Sequence, residues 1–119
     1  MLKNMDRALA GVLLMGALGH TFGSFEAYAR EPKVLLWALC ASVLVALLGA
    51  LNLLRANRPG DHPLAWITVA GTACWLVVSI AFGILIDKPF DPRVVIFSLA
   101  SFGLIGFGLR SAFGNLPRA

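Results

Sequence analysis

The sequence predicts an all-α integral membrane protein that folds as a four-helix up-down-up-down bundle. Of its 119 residues, 59% are hydrophobic and 13% are charged, whereas soluble domains are roughly half apolar and a quarter charged. The charged residues fall into five clusters, which leave four apolar runs between them. These runs lack the polar–apolar alternation of membrane β-strands, and only helices or closed barrels satisfy their backbone in lipid.

The four apolar runs cover about residues 8–28, 34–54, 64–86 and 94–113. Each is close to the roughly 20 residues that a helix needs to cross a hydrocarbon core about 30 Å thick. The runs and their flanking charges fill the chain, so we expect residues 1–119 to form a single membrane domain.

The last three helices share a start signal. Glu31, Asp61 and Asp91 each stand one or two residues ahead of a proline, which suits an N-cap followed by a proline in the first helical turn. The connections are then only about five to nine residues long, and such short loops make successive helices antiparallel neighbours.

The first run also has features of a secretory signal peptide. A basic start precedes an apolar stretch over residues 8–19, and Ala27-Tyr28-Ala29 has the small-x-small pattern of a cleavage site. Phe22 and Phe25, however, carry the apolar run beyond the usual length of a signal-peptide core. We therefore expect this segment to be retained as the first transmembrane helix.

Basic residues near the membrane ends predict the orientation, because Lys and Arg are enriched on the cytoplasmic side. A cytoplasmic N-terminus places six of them inside (Lys3, Arg7, Arg55, Arg58, Arg110, Arg118) and four outside (Arg30, Lys33, Lys88, Arg93). We expect a multi-pass protein of the cell membrane, such as a bacterial inner membrane, with both termini cytoplasmic, while dual insertion stays open. These basic residues flank the helices singly or in pairs, which suits the headgroups of the lipid bilayer rather than nucleic acid.

His20 is the ionisable residue deepest within an apolar run. Such residues are candidates for functional sites, because a polar side chain finds partners only inside the bundle. Helical spacing puts Gly16, Gly23 and Ser24 beside it. The alternative is structural: a neutral imidazole among small residues can hydrogen-bond a neighbouring helix.

Other polar residues lie at a similar depth. Counted at 1.5 Å per residue, His20 and four serines lie within about 8 Å of their helix centres, toward the outside. The serines are Ser42, Ser79, Ser98 and Ser101. Two polar stripes reinforce this layer, Ser42-Val45-Gly49-Asn52 on the second helix and Thr68-Thr72-Trp75-Ser79 on the third, and both should face the bundle interior. Ser79 is the partner expected for His20, although any one hydroxyl can instead bond its own helix. The candidate site comprises His20, Ser24, Ser42, Trp75, Ser79, Ser98 and Ser101.

Two functions fit these features. The first is a non-enzymatic interaction module that self-associates or joins a larger membrane complex through small-residue helix-packing faces, made of Gly16, Gly19, Gly23, Gly103 and Gly106. The second is a ligand-binding protein or a small-molecule or proton-coupled transporter with His20 in an outward-facing polar cavity.

The length and four-helix layout are similar to those of small multidrug-resistance exporters. Those exporters depend on a carboxylate within the first helix, where this chain offers His20, because Glu26 stands near the end of the run. The resemblance is one of architecture, so it implies a fold and leaves the substrate open.

Cofactor and catalytic signals are sparse. Cys40 and Cys74 have no recognisable redox or metal spacing, and we expect them to be buried free thiols. The sequence has no metal-ligand cluster and no nucleophile–base motif, so we expect neither a catalytic residue nor a metal or other cofactor. Haem ligation stays open only through a pair of His20 side chains across a dimer, because His62 stands at the opposite depth.

Overall fold

The structure is a computed structural model that describes residues 1–114. It contains four α-helices over this range: α1 Leu2–Tyr28, α2 Pro32–Asn57, α3 His62–Leu85 and α4 Pro92–Phe113. Each is long and apolar enough to cross a membrane. The helices contain nearly all of the four predicted apolar runs but extend beyond them, most of all in α1, which begins six residues earlier than expected. Arg118, counted above with the inner basic residues, lies outside the described residues.

The predicted start signals act at two of the three helices. The Asp61 carboxylate accepts a hydrogen bond from the Leu64 N–H at 3.1 Å, and Asp91 accepts one from the Arg93 N–H at 2.9 Å. Glu31 makes no side-chain capping bond at the start of α2. The expected cap there is wrong, which agrees with the preference of N-caps for the shorter Asp, Asn, Ser and Thr side chains.

Consecutive helices pack as two close hairpins, α1 with α2 and α3 with α4. Within each hairpin the helices are antiparallel: Arg7 near the start of α1 bonds Asn57 at the end of α2, and His62 at the start of α3 bonds Ala112 near the end of α4. The hairpins meet through α1 against α4 and α2 against α3, so α3 lies diagonally opposite α1. We call the end with the start of α1 and the α2–α3 connection the terminal end, and the other the hairpin end.

Some of the predicted packing glycines are at close helix contacts and others are not. A side chain at Gly16 would overlap the Phe97 ring of α4, and one at Gly103 would press on Leu9 of α1. Nothing lies within 4 Å of a Cβ built at Gly19, Gly23 or Gly106. Within one chain, therefore, only part of the predicted small-residue set brings helices together. Four further glycines, which were not predicted as packing residues, also lie at close contacts: Gly49, Gly71, Gly83 and Gly108.

The outward faces of the helices are apolar. Large side chains such as Phe22, Trp37 and Phe102 are more than two-thirds exposed, as expected where the surroundings are hydrocarbon. Cys40 and Cys74 are also exposed, so the expectation of buried thiols is wrong. The sequence offers these cysteines no polar partner, and lipid accepts a thiol as readily as a small apolar residue.

Candidate functional site

A cavity of about 630 Å³ lies in the hairpin-end half of the bundle, and all four helices contribute to its wall. Its ring-bearing side chains are Tyr28, Trp37, Trp75, Phe82 and Phe97, and its polar ones include His20, Ser24, Ser79 and Arg93. The Trp75 and Phe97 rings pack edge to face with centroids 5.8 Å apart. Toward the terminal end the two hairpins are joined by direct side-chain hydrogen bonds, from Asn52 to Thr72 and from Arg55 to Ser111.

His20 lines this cavity, but its hydrogen-bond partner is Ser42 rather than Ser79. The Nδ1 atom lies 2.7 Å from the Ser42 hydroxyl, and either group can donate, depending on the imidazole tautomer. The Ser24 hydroxyl donates to the His20 carbonyl at 2.6 Å. The expectation of Ser79 is wrong because depth fixes only one coordinate: α2 is a neighbour of α1, and α3 is diagonally opposite.

The remaining predicted site residues divide into two groups. Trp75 and Ser79 line the cavity with His20, and the Ser79 hydroxyl donates to the Trp75 carbonyl at 2.9 Å. Ser98 and Ser101 are on α4 outside the cavity wall. Their hydroxyls and the Trp75 indole N–H are buried without a hydrogen-bond partner among residues 1–114. Both predicted polar stripes are buried, as their spacing indicates.

Sequence reasoning missed Arg93 and Phe97 as parts of the cavity wall. They precede Ser101 by eight and four residues and so lie on the same face of α4. Following that face from Ser101 toward the start of α4 would have indicated both residues. Arg93 donates to the Asp91 carboxylate from Nε and Nη2, both at 2.9 Å. These bonds lower the pKa of Asp91 to about 2, and they hold the Arg93 guanidinium, which lines the cavity.

A second polar group lies at the terminal end and links all four helices. Arg55 of α2 forms a 2.5 Å ion pair with Asp6 of α1. Its guanidinium also donates to Asn52 at 3.2–3.3 Å and to Ser111 of α4 at 3.2 Å. Asn52 in turn donates to the Thr72 hydroxyl of α3 at 3.0 Å. This set, called the terminal network below, joins the two hairpins.

Arg55, expected among the basic residues at the inner membrane end, is instead buried together with Asp6. Asp6 is 6% exposed and Arg55 is 1% exposed. The missing signal was the α2 stripe itself: Arg55 stands three residues after Asn52, on the same helical face. A buried guanidinium needs a counter-charge, and the antiparallel α1 supplies Asp6.

The described residues contain no group of three or more His, Cys, Asp or Glu side chains that could hold a metal ion. His62 donates from Nδ1 to the Ala112 carbonyl at the terminal end, far along the bundle from His20. One chain therefore cannot place both imidazoles on a single haem. The cavity wall combines aromatic surfaces, a hydrogen-bonded imidazole and a guanidinium.

The comparisons with known proteins add no further constraint. No known protein family, curated protein or solved structure is significantly similar to this chain.

Proposed function

We propose that this small membrane protein binds an amphipathic organic molecule in the hairpin-end cavity, as a ligand-binding protein or a transporter. The observation that supports this function is the cavity, which gathers His20 and aromatic side chains from all four helices. Its volume of about 630 Å³ is in the range of small-molecule sites. We propose a binding role without a catalytic step.

The wall favours an anionic or neutral ligand over an organic cation. No Asp or Glu side chain is among the lining residues of the described chain, whereas His20 and Arg93 are. Aromatic faces accommodate a ring or an acyl chain, and a guanidinium binds a carboxylate or phosphate. This chemistry differs from that of exporters that use a carboxylate of their first helix, since the buried carboxylate of α1, Asp6, is paired with Arg55 at the other end.

Two probes of opposite charge test the proposal. The purified protein is titrated calorimetrically with 1-naphthoate and with 1-naphthylmethylammonium, which share a ring system. Naphthoate should bind more tightly. Gly19→Leu should weaken naphthoate binding, because the leucine side chain would occupy the open space of the cavity beside Gly19. Gly106→Leu is the matched control, because this glycine also has open space but lies outside the cavity. Equal binding of both probes, or equal losses in both variants, would refute the proposal.

Substitution of His20 distinguishes a functional role of this side chain from a structural one. His20→Gln keeps a hydrogen-bonding group beside Ser42 but does not titrate near neutral pH. We expect a folded variant with unchanged melting that loses any pH dependence of naphthoate binding between about pH 5 and 8. His20→Leu should cost about 1 kcal/mol of stability by leaving the Ser42 hydroxyl with a weaker bond. A wild-type protein whose naphthoate affinity does not vary with pH would leave His20 a packing residue.

The second candidate function is the self-associating interaction module. Its support is the exposed part of α1 that also borders the cavity, where Gly19 and Gly23 form a small-xxx-small pattern and a Cβ built at either glycine would meet nothing within 4 Å. If a second copy or a larger complex covers this face, Gly23→Leu should yield a folded monomer on crosslinking. A dimer that survives this substitution would count against the module.

We propose that both termini are cytoplasmic. Among residues 1–114 the terminal end carries five basic residues (Lys3, Arg7, Arg55, Arg58, Arg110) and the hairpin end four (Arg30, Lys33, Lys88, Arg93), and Lys and Arg are enriched on the cytoplasmic side. Reporters fused at Lys33 or Lys88 should signal the outside, and one at the N-terminus the cytoplasm. Mixed signals from a single position would demonstrate dual insertion instead.

A further inference from the structure

A second cleft, of about 480 Å³, opens at the terminal end beside the terminal network. Its polar wall contains Lys3, Asp6, Arg55, Arg110 and Ser111. Gly60 of the α2–α3 turn also lines the cleft, and as a glycine it accommodates a positive φ of 99°. This cleft is separate from the hairpin-end cavity, and the proposed function makes no use of it.

The cleft has an excess of positive charge. Three of its lining side chains are cationic and one is anionic, and because Asp6 and Arg55 neutralise each other as an ion pair, Lys3 and Arg110 carry the excess. Lys3 and Arg110 form no ion pair within residues 1–114. Arg55 is 1% exposed and its guanidinium is held by three side chains, so one cation of the cleft is fixed in place before any ligand arrives.

The remaining wall is apolar and includes Leu2 and Phe107. The cleft therefore offers cations on one side and hydrocarbon on the other, at an end of helices long enough to span a membrane. Among residues 1–114 it is also the end with an excess of basic over acidic residues. A molecule with a phosphate group and an attached acyl chain matches both surfaces, since phosphate oxygens accept from guanidinium and ammonium groups.

We propose that this cleft binds the phosphate headgroup of an anionic phospholipid, with Lys3 and Arg110 as its direct contacts beside the Asp6–Arg55 ion pair. Inorganic phosphate has the same headgroup chemistry. The apolar wall favours the lipid, because a free phosphate ion leaves Leu2 and Phe107 unused.

Native mass spectrometry of the full chain in non-ionic detergent tests this proposal. The two lipids compared are dioleoylphosphatidylglycerol and dioleoylphosphatidylcholine, which have the same acyl chains and differ in net charge. The first phosphatidylglycerol should bind at least about five-fold more tightly, and Arg110→Gln should reduce its affinity by about five-fold. Lys3→Gln is the second variant, on a different helix, and should give a similar loss.

Arg58→Gln is the matched control, because Arg58 is exposed at the same end but does not line the cleft. It should leave the affinity unchanged. Equal binding of the two lipids would overturn the proposal, as would a loss in Arg58→Gln equal to that in Arg110→Gln, which would show diffuse attraction. Displacement of phosphatidylglycerol by an equal concentration of inorganic phosphate would overturn the lipid assignment and identify a soluble phosphate site.

Discussion

The ion pair of the terminal network allows a quantitative prediction. Asp6→Ala leaves the Arg55 guanidinium without its counter-charge, and the Arg55 side chain is 0% exposed. Removing one partner of a buried pair costs about 3–5 kcal/mol, whereas an exposed pair contributes about 1 kcal/mol or less. We expect a loss of about 3 kcal/mol, the lower bound for burial, because Asn52 and Ser111 still accept from Arg55.

The free energy of unfolding is measured by titration with sodium dodecyl sulfate in mixed micelles, followed by circular dichroism. Asp6→Asn keeps an acceptor beside Arg55 without the charge, so its loss should be intermediate. Arg58→Ala is the control, since Arg58 is exposed and lies outside the network, and it should change stability by no more than about 0.5 kcal/mol.

A loss of about 1 kcal/mol or less in Asp6→Ala would refute the reasoning, because the pair would then behave as a surface pair. The double variant Asp6→Leu, Arg55→Met distinguishes the source of the loss. If the cost comes from an unpaired buried charge, replacing both partners with apolar residues should recover most of it. A double variant as unstable as Asp6→Ala would instead show that the network's hydrogen bonds hold the hairpins together.

Two further predictions concern the hairpin end. Gly16→Ala should lower the free energy of unfolding by about 1–3 kcal/mol relative to Gly23→Ala, because its methyl group would overlap the Phe97 ring while Gly23 has open space; equal melting temperatures would contradict this. The pKa of Asp91 is lowered from 3.8 to about 2 by its bonds from Arg93, so its contribution to stability is complete above pH 3.8 and is lost as the pH falls through about 2. Asp91→Asn should remove that part of the acid dependence of melting, and a carboxyl that titrates at 3.8 by NMR would exclude it.

Much of the fold follows from the sequence. A helix that crosses a hydrocarbon core must be apolar over about 20 residues, so hydropathy and length locate the membrane-spanning elements before any packing is known. The polar stripes were also predictable, because lipid offers hydroxyls and an indole no hydrogen-bond partner. Short connections then restricted the bundle to antiparallel neighbours.

Tertiary structure decided which side chains meet. The 1.5 Å rise per residue gives the depth of His20 but says nothing of which helices stand beside α1. Because α3 is diagonal to α1, the Ser42 hydroxyl is hydrogen-bonded to the His20 imidazole. Ser79 lines the cavity but makes no hydrogen bond to His20. The buried pair of Asp6 and Arg55 was hidden for the same reason: charged residues near a helix end are usually solvated, and only the packing of α1 on α2 turns these two inward and against each other.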